Sequence, residues 1–447
     1  MKQRPVLLLV LIALGVPFLC AGEGQGESKG PESITIAVNV GPEADAHHRL
    51  ANEFERQFPQ YVVIVDGIAR SVHSTKMATL LSAQSDTHDV MIFSTAHFPL
   101  WYKGGWIEPL GKYMQDKNLF DEASYDLKDF PDAILNIFRR DGKLYALPQE
   151  ASAYLLFYRK DILAKYGVEE PKRTGWSWSH YIESAEKIQT GLENDGRTDM
   201  YATIFPGRKN RNIAQYILQN VWANGGELLD EKLKPRLTTP EAIEALKEYT
   251  DQLHVHKIAP PGVVGYAYSE LLTNLQQGLS AMGLQWNAAA ATLMDADKSP
   301  ETAGKMGFSV IPYFESEGPE QLRVYPSIWG VGISSFSRHK EAAFRYVTWF
   351  TGKDIARDYV THGGGSSGRS SLLNDPEIVA ANPQYPALLE SMKYYHSLPD
   401  IPEWTFILED ILTSNWNAAL VGGLTPRQAM ETANDAILKL LTEAGYY

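Results

Sequence analysis

The stretch LQQGLSAM at residues 275–282, followed by GLQWN at 283–287, carries most of the information about the fold. Apolar residues at helical spacing run up to Gly278, and a glycine just after the last turn is typical of a helix C-terminus. The residues after this glycine predict a short buried strand that ends at Trp286. By itself, this unit of helix, glycine turn, strand and tryptophan indicates packing and no particular function.

Upstream of this unit, segments with strand and helix patterns alternate. Apolar, β-branched runs at 34–40, 61–67 and 89–94 predict strands, and residues 47–58 and 77–84 predict the helices between them. This alternation indicates a parallel sheet with helical crossovers. Because such sheets bind ligands beyond the carboxyl ends of their strands, the loops after Val40, Gly67 and Phe93 are candidate binding loops.

The rest of the chain predicts a second set of elements. Three helix starts carry N-cap residues, namely Ser177 or Ser179, Thr239 and Thr425. The predicted segments are strands at 153–158 and 307–314, helices at 174–188, 238–253, 338–352 and 424–441, and a glycine-rich loop at 361–371.

Length and composition bound the class of protein. The 447 residues are enough for two or three domains, and 44% hydrophobic and 21% charged residues are ordinary for a globular protein. The net charge of −13 argues against a nucleic-acid partner, because binding phosphates needs a basic surface. After the N-terminus, no apolar run approaches the roughly 18 residues that would suggest a membrane span.

The N-terminus has the pattern of an export signal. Lys2 and Arg4 precede the apolar run at 6–19, and small residues follow it. We therefore predict a signal peptide at 1–21 and a flexible polar tether at 22–32. The predicted location is the periplasm or the outer face of a membrane.

Cys20 is the only cysteine, so no disulfide can form within the chain. Its place after the apolar run resembles a bacterial lipoprotein site, where the cysteine becomes the acylated first residue. The preceding Pro17-Phe18-Leu19 departs from that pattern, because a small residue is expected just before the cysteine. Lipid anchoring at Cys20 and simple cleavage near Ala21 both remain open.

Four stretches together resemble the extracellular solute-binding proteins of ABC importers, in particular the sugar-binding family that includes maltose-binding proteins. The second stretch is close to the family pattern G-K-x-Y-x-x-P followed by Y-N-K-D, with Arg159 in place of the usual Asn. The stretches are 88–110, 142–163, 275–287, and a run from Tyr325 through 337–354 to 416–430. Each is weak alone, and their shared order behind an export signal carries the resemblance.

The resemblance implies an α/β protein with the two-lobed periplasmic-binding-protein (Venus flytrap) fold. Lobe one would comprise 33–150 and 311–355, and lobe two 153–307 and 356–447. Crossovers near 151–152 and 308–311 would form the hinge, and the lobes would close around a ligand between them.

The implied function is high-affinity capture of a mono- or oligosaccharide and delivery to the transmembrane permease subunits of an ABC importer. The resemblance implies no catalysis, no cofactor, no metal and no nucleic acid. It also implies a monomer that touches the membrane only through a lipid anchor. Alternatives within binding are a polyol, a polyamine or a metal complex, and a sensor role cannot be separated from transport.

Sugars present C–H faces and many hydroxyls, so aromatic rings and polar side chains are the groups that bind them. The chain has 10 Trp and 23 Tyr, so aromatic rings are available. Buried polar groups left unpaired cost about 1–3 kcal/mol each, which lets such a site discriminate between ligands. The predicted ligand-binding residues are Ser94, Thr95, His97, Glu150, Ser152, Trp222, Trp286, Asn287, Trp329 and Trp404.

These residues are chosen by position. Ser94, Thr95 and His97 follow the third strand, and Trp329 lies where the family often has a glycine-rich ligand loop. Glu150 and Ser152 flank the first crossover, and Trp286 with Asn287 follows the strand of the opening motif. Packing in the core remains the alternative for each tryptophan, and it is equally favoured for Trp222. His97 could also be a solvated loop residue.

A different class of function is a secreted carbohydrate-active enzyme. The sequence has no G-x-S-x-G, no H-E-x-x-H, no phosphate-binding loop and no cysteine cluster that would bind metal. Many Asp and Glu residues could form the two-carboxylate site of a glycosidase, but the sequence does not show which two would lie together. Tyr394-Tyr395 is similar to the paired tyrosines of ferric-ion binders, but its helical context favours packing.

Overall fold

The computed structural model describes residues 30–172 and 174–447. The predicted signal peptide and Cys20 lie outside these residues. None of the helices in the described ranges is both long enough and apolar enough to cross a membrane.

The strands form two main sheets and one small hairpin. The strands are Glu32–Asn39 (β1), Tyr61–Ile68 (β2), Val90–Ser94 (β3), Arg139–Arg140 (β4), Lys143–Leu144 (β5), Ala146–Ser152 (β6), Tyr154–Arg159 (β7), Tyr201–Ile204 (β8), Ser280–Trp286 (β9), Met306–Ser309 (β10) and Ser327–Ile333 (β11).

Helices cover the sheets and connect their strands. The helices are Pro42–Gln57 (α1), Arg70–Ser82 (α2), Phe98–Lys103 (α3), Gly111–Met114 (α4), Glu122–Tyr125 (α5), Asp132–Leu135 (α6), Lys160–Lys165 (α7), Trp178–Asn194 (α8), Arg211–Ala223 (α9), Pro240–His254 (α10), Tyr268–Gln276 (α11), Ala289–Met294 (α12), Lys340–Phe350 (α13), Lys353–Thr361 (α14), Ser370–Leu373 (α15), Pro376–Ala381 (α16), Tyr385–Met392 (α17), Trp404–Phe406 (α18), Thr413–Leu420 (α19) and Pro426–Glu443 (α20). A π-helical turn, Ile407–Leu412, joins α18 to α19.

The first sheet has the strand order β2-β1-β3-β11-β6. Strand β1 pairs in parallel with β2 and β3, as the alternating sequence pattern predicts. Strand β11 inserts antiparallel between β3 and β6, so Trp329 lies opposite Ser94 on one side and Glu150 on the other. The carboxyl end of β3 is thereby brought beside the end of β6.

The second sheet has the order β10-β7-β9-β8 and contains the opening motif. Helix α11 ends at Gln276, and Gly278 takes a φ of +66°, which glycine adopts without the penalty of a side chain. All seven residues of β9 are buried, and its last residue, Trp286, pairs with Tyr154 of β7. The predicted unit of helix, glycine turn and buried strand is confirmed, as is the two-lobed α/β fold class.

The capping signals are confirmed where the structure describes them. The side chains of Ser177, Thr239 and Thr425 each accept a hydrogen bond from the backbone N–H three residues later. Ser177, not Ser179, is the N-cap of α8. These caps fix the starts of α8, α10 and α20.

One predicted strand is too long. The pattern at 307–314 predicted a single strand, but β10 ends at Ser309. Pro312 has no backbone N–H to offer a sheet. Beyond it, Tyr313 makes an isolated bridge with Ser177, and the chain then leaves the second sheet for the first.

The segments that pass between the sheets contact one another. Ala153 separates β6 of the first sheet from β7 of the second. Val324 forms a bridge with Tyr395, and the Tyr395 hydroxyl donates to the backbone oxygen of Ser152 at 3.0 Å. Three stretches of chain therefore meet where a hinge is predicted.

The predicted lobe boundaries stay a prediction, and the contacts suggest one revision. Residues 356–447 were expected in lobe two, yet Tyr359 packs on Phe350 and accepts a hydrogen bond from Gln149. Arg369 binds the carboxylate of Asp129, which also precedes the first crossover. We propose that lobe one extends to the end of α15.

Candidate functional site

The carboxyl end of β3 places polar side chains at the edge that faces the second lobe. Thr95 is tied to the segment before β11, because its Oγ1 donates to the Pro326 oxygen at 3.1 Å and its N–H donates to Ile328. Ser94 Oγ lies 3.1 Å from Nδ1 of His97. The three residues predicted after this strand therefore form one small cluster, and they are all buried.

His97 is the most informative member of that cluster. The structure buries it and stacks it on Trp101, so it is no solvated loop residue. Burial lowers the pKa of His97 to about 3, and the charge of Arg211 adds to the effect. Among the described residues, its Nε2 has no hydrogen-bond partner. A neutral imidazole here can exchange one further hydrogen bond with a ligand.

A second cluster lies at the first crossover. Ser152 Oγ lies 3.1 Å from Glu150 Oε1 and 2.8 Å from Asn287 Oδ1. Asn287 Oδ1 also accepts from the Ala153 N–H at 3.0 Å, which ties the end of β9 to the residue between β6 and β7. The Nδ2 of Asn287 is buried and has no partner within the described chain, so this amide offers a donor to the cleft.

Two of the predicted tryptophans form aromatic platforms. Trp286 stacks on Tyr154 with ring centroids 3.9 Å apart, and Asn212 holds the Tyr154 hydroxyl at 2.9 Å. Trp222 lies parallel to Tyr325 at 6.1 Å. Flat, fixed rings of this kind can stack against the C–H face of a ligand.

The other two predicted tryptophans lie in different settings, and their role as ligand contacts stays a prediction. Trp329 was predicted in a ligand loop but lies within β11, half-buried between β3 and β6. Its neighbours across the ladder are nonetheless Ser94 and Glu150, so it remains beside the predicted site. Trp404 is completely buried at the start of α18, and its Nε1 has no partner in the described residues.

Helix α9 contributes polar residues that the sequence reading missed. Arg211, Gln215 and Gln219 follow one another at intervals of four, so they lie on one face of the helix. Gln215 Oε1 and Gln219 Nε2 are buried without a partner in the described chain. The available signal was the repeat of glutamines at this interval in a helix whose other buried residues are mostly apolar, because buried polar groups are normally paired.

Tyr325 joins this helix to the rest of the site. Gln219 Oε1 accepts the Tyr325 N–H at 3.2 Å. Gln215 and Trp404 both approach the Tyr325 hydroxyl, although no described atom makes a hydrogen bond of normal geometry with it. Burial is the main reason that the pKa of Tyr325 is raised, so the hydroxyl stays protonated and can donate.

The two lobes touch beside these residues. Arg140 of the first lobe forms a bidentate ion pair with Asp400. Its Nε lies 2.7 Å from Oδ2, and its Nη2 lies 2.9 Å from Oδ1. Thr405 donates from Oγ1 to the backbone oxygen of Ala96 at 3.0 Å. These contacts join residues of the two predicted lobes beside the cluster of Ser94, Thr95 and His97.

Other candidate sites do not assemble. No group of three or more His, Cys, Asp or Glu side chains in the described ranges could hold a metal ion. The hydroxyl of Tyr394 donates to Glu390, and that of Tyr395 donates to the backbone oxygen of Ser152. Both hydroxyls of the tyrosine pair therefore have partners within the described chain.

Two buried histidines predict a dependence of stability on pH. Burial lowers the pKa values of His47 and His97 from 6.5 to about 3. Between these values, only the unfolded chain binds the two protons, so stability falls as pH falls. We expect the free energy of unfolding to drop by about 3 kcal/mol from these groups between pH 6.5 and 5. Urea unfolding at pH 6.5 and at pH 5 measures this drop in the free energy of unfolding.

A matched pair of variants isolates this effect. His47→Gln should remove about half of the loss, because it removes one of the two buried imidazoles. His48→Gln, at the exposed neighbouring position, should leave the pH dependence unchanged. Equal behaviour of the two variants would show that burial of His47 does not set the dependence.

Comparison with known proteins gives consistent results. The model of the family described as bacterial extracellular solute-binding protein matches residues 41–357. A mannitol-binding protein of Pseudomonas aeruginosa is 25% identical over 444 residues, covering 94% of this chain and 95% of that protein. A probable amino-acid ABC transporter periplasmic-binding protein of Sinorhizobium fredii is 26% identical over 326 residues, covering 72% of this chain and 70% of that protein.

The structural comparison agrees over nearly the whole length. The crystal structure of an ABC transporter solute-binding protein from Agrobacterium vitis with bound D-mannitol matches with a TM-score of 0.79 and 26% identity. It covers 93% of this chain and 99% of that one. Since the family model covers well over half of the sequence, the chain belongs to the family of bacterial extracellular solute-binding proteins.

Proposed function

We propose that this protein captures a neutral polyhydroxylated solute, a sugar or sugar alcohol, and delivers it to the permease of an ABC importer. One observation carries the proposal. Buried polar atoms in both predicted lobes have no hydrogen-bond partner among the described residues; they include His97 Nε2, Gln215 Oε1, Asn287 Nδ2 and Trp404 Nε1. Folding leaves these donors and acceptors unpaired, which a ligand with many hydroxyls would correct.

The composition of this set supports a neutral ligand. It mixes donors and acceptors from amides, an indole and a neutral imidazole. Among the charged groups nearby, Arg211 is paired with Glu409, and Glu150 lies 3.1 Å from the Ser152 hydroxyl. The mannitol-binding relative and the mannitol-bound neighbour support a sugar alcohol in particular. The close contact of the lobes favours a small ligand over a long oligosaccharide.

A screen of ligands tests this proposal. The chain lacking residues 1–21 is heated with D-mannitol, D-glucitol, ribitol, hexoses, maltose, amino acids, polyamines and metal chelates. Since a ligand stabilises by RT ln(1 + [L]/Kd), we expect a large rise in melting temperature with one class of polyol or sugar and no consumption of it. A shift with only an amino acid, the ligand type named for the Sinorhizobium relative, would overturn the proposal. Turnover of the sugar would favour an enzyme.

Replacing Trp286 tests the aromatic platform. Trp286→Ala removes the ring stacked on Tyr154 and should weaken binding at least tenfold, about 1.4 kcal/mol, with the fold retained. Isothermal titration calorimetry with the ligand from the screen measures the change. Trp349→Ala, which alters a half-buried ring on α13 of lobe one, is the control. Unchanged affinity in Trp286→Ala would remove this residue from the site.

We also propose the cellular setting of this function. The N-terminal pattern supports export, and Cys20 is the residue that a lipid anchor would use. The family is extracellular by its description. A monomer that docks on permease subunits after closing on its ligand suits these features.

A further inference from the structure

Arg211 and Glu409 form an ion pair beside the proposed ligand. Arg211 is the first residue of α9, and Glu409 lies in the π-helical turn that packs on this helix. Nη1 of Arg211 is 3.6 Å from Oε1 of Glu409. Both side chains are about one-third exposed, so they lie at the edge of the buried site and not in its core.

Contacts of the adjoining residues place this pair beside the proposed site. Asn212, next to Arg211, donates to the hydroxyl of Tyr154, whose ring stacks on Trp286. Thr405, one turn before Glu409, donates to the backbone oxygen of Ala96, which adjoins His97. The charge of Arg211 adds to the lowering of the pKa of His97 and acts on Tyr325. The charge of Glu409 acts on Tyr325 as well.

Glu409 lies in a π-helical turn, Ile407–Leu412. π-helical turns are rare and commonly mark functional sites. Thr413 stabilises this turn, because its Oγ1 donates to the backbone oxygen of Glu409 at 2.9 Å and lies 3.2 Å from the backbone oxygen of Asp410. The turn thereby sets the position from which the Glu409 carboxylate meets Arg211.

We propose that Arg211 and Glu409 are specificity-determining residues that bind hydroxyls at one end of the ligand and exclude sugar acids. The guanidinium donates hydrogen bonds to hydroxyl oxygens, and the carboxylate accepts hydrogen bonds from hydroxyl hydrogens. A sugar acid would place its own carboxylate against Glu409, and like charges at short range repel. The pair is neutral as a whole, so the site prefers a neutral polyol. This inference rests on the proposed function.

The test is a change of ligand class. Glu409→Gln keeps the shape of the side chain but leaves the Arg211 cation unpaired. We expect this variant to gain at least tenfold affinity for D-gluconate over the unmodified protein, measured by calorimetry, and to bind its polyol more weakly. Glu270→Gln is the matched control, because it frees Arg208 from a 2.6 Å ion pair in the same lobe. This control should gain no affinity for gluconate.

A double variant confirms the cause. Arg211→Gln combined with Glu409→Gln removes the freed cation, so the gain in gluconate affinity should disappear. If Glu409→Gln binds the polyol as before and gluconate no better, the inference is wrong and the proposed function stands. If the unmodified protein binds no polyol or sugar at all, it is the proposed function that fails. A gain for gluconate in Glu270→Gln would also contradict the assignment.

Discussion

Arg369→Met is expected to lower the free energy of unfolding by about 3–5 kcal/mol, because it removes the buried cation that pairs with Asp129 and leaves that carboxylate only its hydrogen bonds from Ser371. The Arg369 side chain is 0% exposed and that of Asp129 is 6% exposed. Arg369 also donates to the backbone oxygens of Thr351 and Tyr125, at 2.8 and 3.0 Å, and its guanidinium lies over the ring of Phe130. It therefore ties the loop after α14 to the first lobe.

Urea unfolding of the full mature chain measures this loss, with Arg357→Met as the control. Arg357 pairs with Asp375 and Glu377 at the surface, where such pairs contribute about 0–1 kcal/mol. Replacing both members of the buried pair, as Arg369→Met with Asp129→Leu, should recover part of the stability. A loss below about 1 kcal/mol in Arg369→Met would show that this loop is held by other contacts.

Gln215→Leu is expected to change stability and binding in opposite directions. Gln215 Oε1 is buried without a partner in the described chain, so replacing the amide by an apolar side chain of similar size should raise the free energy of unfolding by about 1 kcal/mol. The same change removes a polar group that the ligand would use, and it should weaken binding about 10–100-fold, since a ligand hydroxyl is then buried unpaired.

Both effects can be measured on one preparation, by urea unfolding without ligand and by calorimetry with it. Gln252→Leu is the control, because Gln252 of α10 also has buried, unpartnered amide atoms in the described structure but lies on the helix behind α9. The Gln252→Leu variant should gain stability and keep the ligand affinity of the unmodified protein. A loss of stability in Gln215→Leu together with normal binding would place Gln215 in the packing of the lobe and not in the site.

Most individual helices and strands could be predicted because their signals are local, whereas the two-lobed fold was predicted from the family resemblance. Gly278 ends a helix, Ser177, Thr239 and Thr425 cap others, and β-branched runs alternate with helical ones. Each signal depends on residues within one or two turns. The parallel arrangement of β1, β2 and β3 then follows from connection rules that need no knowledge of distant contacts.

The site was predicted less completely because it depends on distant contacts. The residues after β3 and around the first crossover could be chosen from strand ends. By contrast, Arg211 and Glu409 are about 200 residues apart in the sequence and meet only when the chain has folded. Trp329 shows the same limit, since the central place of β11 between β3 and β6 comes from pairing across most of the chain.

The position of β11 has a consequence for how the chain folds. The first sheet cannot be completed until β11 arrives, and the whole second sheet precedes β11 in the chain. Until then, β3 and β6 each keep an unpaired edge, and closing so long a loop makes folding slow. An N-terminal half emerging during synthesis therefore lacks a stable native lobe. Such a delay would keep the polypeptide extended long enough to be threaded through a translocation channel, as the proposed export requires.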